Sequence, residues 1–188
     1  RRSVVSAGAR GPRLRAHCFF FVGAGAGLVG CAAGAGAVAS FEAGVVPRFL
    51  EQKPTAKVAR IRPGSDPETP LTKALADLMG DAAGSQNEPL LLVVDQLEEL
   101  FINIPDLKRR EAFIQRLWAL ASDPASRLCV VVTLRVDFVG RCGEIIIDEA
   151  GHRLDSVAYN EAHRVFLSQM GPEELRAAIE KPAQAVGL

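Results

Sequence analysis

The sequence has no net charge: 22 basic residues balance 22 acidic ones. Nucleic-acid binders concentrate Lys and Arg into a broad basic surface, so this balance argues against a nucleic-acid partner. Cysteine is scarce and unpaired. Cys18, Cys31, Cys129 and Cys142 form no Cys-x-x-Cys pair, and no His stands at zinc-finger spacing, which leaves a zinc site without support. Nothing in this pattern demands an oxidising compartment, and the chain reads as cytoplasmic. There is no initiator Met, and Val186-Gly187-Leu188 has no helix-stop or tail character, so the chain is expected to be a piece of a longer protein.

What is present suffices for a buried core. The 188 residues are 48% hydrophobic and 23% charged, an ordinary balance for one globular domain, or one and part of another. Arg10, Arg13, Arg15 and His17 precede an uncharged stretch from Cys18 to Phe41. Its length would span a bilayer, which needs about 20 apolar residues, and a basic start before an apolar run also fits a secretory signal. Against both, the stretch is mostly Gly and Ala after Phe19-Phe20-Phe21-Val22, and Gly adds little transfer energy. The soluble reading is a buried strand, Cys18 to Val22, entering a Gly-rich turn that brings backbone N–H groups close to a phosphate. Gly25-Ala26-Gly27-Leu28-Val29-Gly30 fits the dinucleotide pattern G-x-G-x-x-G, with Glu51 near the spacing of its ribose-binding acid. The residues between look unlike a helix and second strand, and drift in a Gly/Ala-rich segment yields the same match.

Beyond this the chain is better organised. Lys57 to Ile61 alternates like a half-buried strand, Pro63 to Pro70 reads as a loop, and Leu71, Leu75 and Leu78 recur at helical spacing before Gly80. Leu90-Leu91-Leu92-Val93-Val94 is apolar on both faces, as a central strand of a parallel sheet must be. It ends on Asp95, followed by Glu98 and Glu99. A carboxylate at the end of such a strand can hold a hydrated Mg²⁺ that bridges phosphates, and Glu98 or Glu99 could orient an attacking water. Equally, Asp95 could cap a helix whose first turn the two Glu favour. Both readings stay open on these residues.

Arg109 to Ala121 has Phe113, Leu117 and Leu120 on one helical face, and Trp118 reads as core. Leu128 to Val132 is a second apolar strand, running into Thr133-Leu134-Arg135. Arg135 would face the same sheet edge as Asp95 and sense a γ-phosphate, or else pair with Asp137 or Glu98. Two apolar strands joined by a helix form a βαβ unit. Val165 to Leu167 reads as a short extended segment, and a helix from Pro172 is expected to end at Lys181-Pro182.

Six blocks in order resemble the novel STAND NTPases, multidomain signalling ATPases often joined to WD-repeat propellers. They are Ala43 to Phe49, Arg62 to Pro67, LLLVVDQLEELF from Leu90, RREAFIQRLWAL from Arg109, VVVTLRVDFVGR from Val130, and the segment from Phe166 to Leu188. The resemblance implies an α/β fold: a P-loop NTPase-like three-layer sandwich with a central parallel sheet, incomplete, over residues 18–188. Residues 1–17 are expected to be unstructured or miscoded. It makes Asp95 the Walker B acid holding Mg²⁺, Glu98 and Glu99 the acids after it, and Thr133 and Arg135 the sensor segment near the γ-phosphate of ATP. Implied partners are a nucleotide, flanking domains of a larger parent protein and a second copy of the chain.

One element departs from the family. Its phosphate loop, G-x-x-x-x-G-K-[ST], falls on Cys31 to Val38, where Ala37 replaces the Lys and Val38 the Mg²⁺-binding hydroxyl. No Lys occurs before Lys53, so no other register restores the motif. Gly34 and Gly36 keep backbone room for phosphates, but a charge-assisted contact of about 1.5–3 kcal/mol is missing. ATP binding is expected to be weak, with little or no hydrolysis. The alternatives are a nucleotide-independent scaffold (a pseudo-NTPase) or, less well matched to the ordered blocks, a dinucleotide oxidoreductase.

Overall fold

A computed structural model describes residues 19–24, 46–80, 88–123, 125–167 and 171–185. The expectations for residues 1–17, for most of the Cys18–Phe41 stretch, and for Gly34, Gly36, Ala37 and Val38 therefore lie outside the described residues.

The elements alternate along the chain: β1 (Phe19–Ala24), α1 (Val46–Gln52), β2 (Lys57–Ile61), α2 (Glu68–Met79), β3 (Leu90–Val94), α3 (Glu98–Asn103), α4 (Leu107–Ser122) and β4 (Leu128–Arg135). A 3-10 stretch (Val136–Glu144), α5 (Leu154–Ala158), β5 (Arg164–Leu167) and α6 (Pro172–Ala185) follow. The strands form one five-stranded sheet in the order β2-β3-β4-β1-β5, and every pairing is parallel. Parallel neighbours need crossover connections, and these fall on both faces because right-handed crossovers running in opposite directions emerge on opposite sides. The chain passes two strands to go from β1 to β2, then steps back through β3 and β4 and crosses β1 to reach β5.

Burial follows that winding. On one face Leu90, Leu92, Val94, Leu128, Val130, Val132 and Leu134 join one core with Leu71, Leu75 and Leu78 of α2 and Phe113, Ile114 and Leu117 of α4. On the other, Leu91, Val93 and Val131 meet Val46 and Phe49 of α1. All five β3 residues are buried, as a strand covered on both faces requires. The sheet is thus the middle of three layers. Trp118 packs partly buried against the larger cluster, as expected of a core residue. Among the described residues no helix is long and apolar enough to cross a membrane.

Several elements differ from the sequence-based expectation, and β4 runs on past Val132 to Arg135 because its last three residues pair with β1. β1 (Phe19–Ala24) runs past its expected end at Val22, because Gly23 and Ala24 gain ladder partners on both sides, in β4 and β5. Helix α1 was not expected. Pro47 is tolerated in its first turn, where N–H groups lack intrahelical acceptors, and Val46 and Phe49 are anchored on the sheet. Helix α2 begins inside the expected Pro63–Pro70 loop for the same reason: Pro70 sits in its first turn, and Asp66 accepts the Thr69 hydroxyl at 2.6 Å. Helix α6 runs past Lys181-Pro182 to Ala185, since Ala183, Gln184 and Ala185 are strong helix formers.

The strand order also removes the dinucleotide reading. A dinucleotide-binding sheet places its second strand beside its first, with the ribose-binding acid at that strand's end. Here β1 lies between β4 and β5, and Glu51 sits in helix α1, exposed.

Candidate functional site

The strands β3 and β4 are register partners from Leu90↔Leu128 to Val94↔Val132, so Asp95, the first residue past β3, comes beside Thr133, which is still within β4. In β1, Val22 pairs with Thr133, and the strand runs two residues further, to Ala24 beside Arg135. The carboxyl ends of β1, β4 and β3 therefore share one rim. It lies where the chain's winding reverses, the position at which open α/β sheets bind ligands.

Asp95 is 1% exposed, and both of its carboxylate oxygens accept hydrogen bonds. The Thr133 hydroxyl donates to Oδ1 at 2.8 Å. Arg60 Nη2 and Arg62 Nε donate to Oδ2 at 2.5 and 3.0 Å. Thr133, itself buried, also accepts from the Gln96 N–H at 2.8 Å through the same hydroxyl, while its carbonyl accepts from Leu97 N–H at 2.9 Å. These bonds hold Gln96 at φ +58°, a left-handed conformation that costs a non-Gly residue energy and turns the chain sharply from β3 into α3. The helix begins at Glu98 after Leu97, with no side-chain cap, which corrects one of the two open readings: Asp95 is not an N-cap. Its carboxylate is spent across the sheet instead.

The two glutamates fill the first turn of α3 as expected but point into different contacts. Glu98 is 7% exposed, and its Oε2 accepts the Arg135 N–H at 3.4 Å, toward β4. Glu99 Oε2 accepts the Gly64 N–H at 3.0 Å, toward the loop after β2, where Gly64 holds φ +57°. Arg135 commits its guanidinium to near neighbours: Nε and Nη2 donate to Asp137 at 3.2 and 2.8 Å, and the group lies 5.4 Å from the Phe138 ring centroid. Of the expected site residues, the structure thus bonds Asp95 to Thr133 and ties Glu98 to the backbone of Arg135. It sets Glu99 on the β2 side and Arg135 in a local ion pair. Arg60, Arg62 and Gln96 were missed. Alternation along β2 was legible, but that Arg60 would face Asp95 depends on β2 pairing with β3, which no local pattern reveals.

Burial raises the Glu98 carboxyl above its ordinary value of 4.5; its own and the Arg135 N–H groups pull the other way, and the nearby Asp95 charge adds to the rise. Between the ordinary and raised values the folded chain holds this proton more tightly than the unfolded chain. Stability is therefore lost as pH climbs through that window. Glu98→Gln should melt higher than the wild type at pH 7, with the difference gone below about pH 4. Thermal denaturation followed by circular dichroism at both values checks this.

A carboxylate oxygen suits a hard divalent cation such as Mg²⁺. Of the roughly four lone-pair positions on a carboxylate, three are taken here, two by guanidiniums and one by Thr133. A carboxylate this buried needs compensating charge, and the two arginines supply it. The donor chemistry therefore fits a cation, and the guanidiniums stand where its charge would act.

The family model described as Novel STAND NTPase 1 matches residues 21–188, nearly the whole chain and the entire sheet apart from the first two residues of β1. The chain belongs to this STAND NTPase family. Comparison with curated proteins found no match, and neither did comparison with solved structures. The STAND match covers every described residue of the Asp95 rim, and P-loop NTPases in general bind nucleotide and Mg²⁺.

Proposed function

We propose that this STAND domain is a nucleotide-dependent signalling switch whose binding and hydrolysis are impaired by the loss of the phosphate-loop Lys at Ala37. The observation that carries the reading is the buried Asp95–Thr133 pair on adjacent strands at the rim where the winding reverses. In this reading Asp95 would be the Walker B acid that holds Mg²⁺, and the metal would supply charge neutralisation at the phosphates. Glu98 suits the water-orienting role better than Glu99, because it lies on the β4 side and its raised proton affinity suits a general base. Glu99 instead anchors the loop at Gly64. Thr133 fixes the Asp95 carboxylate, and Arg135 would reach a γ-phosphate by leaving Asp137. Gly34 and Gly36 supply backbone room for phosphates. The natural partners are ATP, flanking domains of a larger signalling protein and a second copy.

A second reading, the nucleotide-independent scaffold, draws support from the same rim: Asp95 is already neutralised by Arg60 and Arg62. Isothermal titration with Mg-ATP separates the two. Ala37→Lys combined with Val38→Ser should raise affinity about 10- to 100-fold, the worth of one charge-assisted contact. No gain over the wild type would favour the scaffold.

A further inference from the structure

We infer that Arg60 and Arg62 act together as a guanidinium latch on Asp95, which a divalent cation must displace, so that these two residues set the metal affinity of the site. The inference rests on the reading of Asp95 as the metal-side carboxylate, and it adds residues that the sequence motifs do not assign.

Both arginines converge on a single oxygen, Oδ2, rather than sharing the carboxylate. Two like charges on one acceptor repel each other, an arrangement that persists only where the acceptor is strongly in need of positive charge. Asp95 is in that position at 1% exposure. The pair carries the charge of one divalent cation, so exchange of cation for latch leaves the local charge unchanged. The exit is open on the arginine side: the Arg62 side chain is 52% exposed and that of Arg60 32%. A released guanidinium can therefore be rehydrated, which keeps the exchange reversible. Thr133 holds Oδ1 from the opposite side, so the carboxylate stays aimed while Oδ2 changes partners. The latch also has a mechanical connection. Arg62 lies two residues from Gly64, whose N–H is tied to Glu99, and the loop beyond leads directly into α2.

The test is Mn²⁺ binding to the full chain, read by the loss of the free-ion electron paramagnetic resonance signal. Arg60→Gln/Arg62→Gln should bind at least tenfold tighter than the wild type, and Asp95→Asn in that background should abolish the gain. Arg62→Gln alone replaces the more exposed partner and should give a gain of a few fold; it serves if the double variant does not fold by circular dichroism. Unchanged or weaker Mn²⁺ binding in the arginine variants, with Asp95-dependent binding in the wild type, would overturn the latch and leave the metal reading standing. Absence of Mn²⁺ binding in every form would overturn both. A gain that survives Asp95→Asn would also overturn the latch.

Discussion

Replacing Thr133 by Val should cost the fold about 2–4 kcal/mol while changing almost nothing in its shape. Val fills the same volume but carries no hydroxyl, and Thr133 is only 4% exposed. Two groups lose their partner at once: Asp95 Oδ1, which accepts from the hydroxyl, and the Gln96 N–H, which donates to it. Each buried polar group left unsatisfied costs about 1–3 kcal/mol. The Gln96 backbone, held at φ +58°, also loses one of the bonds that stabilise its left-handed turn. Urea denaturation should place the midpoint of Thr133→Val well below that of the wild type. Thr133→Ser, which keeps the hydroxyl, should recover most of the loss. If Val and Ser behave alike, the hydroxyl bridge between β3 and β4 contributes little.

Phe113→Ala should be more damaging still, at about 3–5 kcal/mol, the range for removing a fully buried aromatic. Phe113 is 0% exposed, on the α4 face that meets the even-numbered residues of β3 and β4. Removing its ring opens a cavity beneath β4, in a fold whose total stability is expected to be about 5–15 kcal/mol. The melting temperature should fall by about 10 °C. By contrast, Ala112→Ser, on the exposed face of the same helix, should leave it within a degree or so. These two outcomes together check that α4 covers this face of the sheet.

The elements that sequence reading located are those whose signal is local. Leu90 to Val94 and the run from Leu128 are apolar on both faces, which only a doubly covered strand explains, and Phe113 with Leu117 marks the buried face of α4. The βαβ arrangement between them follows, and the structure places the two strands side by side. What escaped is decided by contacts distant in sequence. Helix α1 contains a Pro and a short apolar set, and it is legible only once Leu91, Val93 and Val131 are known to need a cover. Asp95 was equally readable as a cap or a ligand residue. The cap is ruled out by bonds to Thr133, 38 positions later, and to Arg60, 35 positions earlier. The left-handed turn at Gln96 has no signature in its residue type. Arg135 was expected to face the crevice, yet its guanidinium is engaged by Asp137, two residues on, one of the alternatives its sequence neighbourhood offered.

The central question at this rim is whether Asp95 serves Mg-nucleotide or only ties β2 to β3. Isothermal titration of Mg-ATP into the chain carrying Ala37→Lys and Val38→Ser, with and without Asp95→Asn, tests this directly. Asn retains the oxygen that accepts from Thr133 and removes the charge. Saturable binding that weakens at least tenfold when Asp95 becomes Asn is the predicted result. Equal affinity in the two chains, or no binding in either, would contradict it.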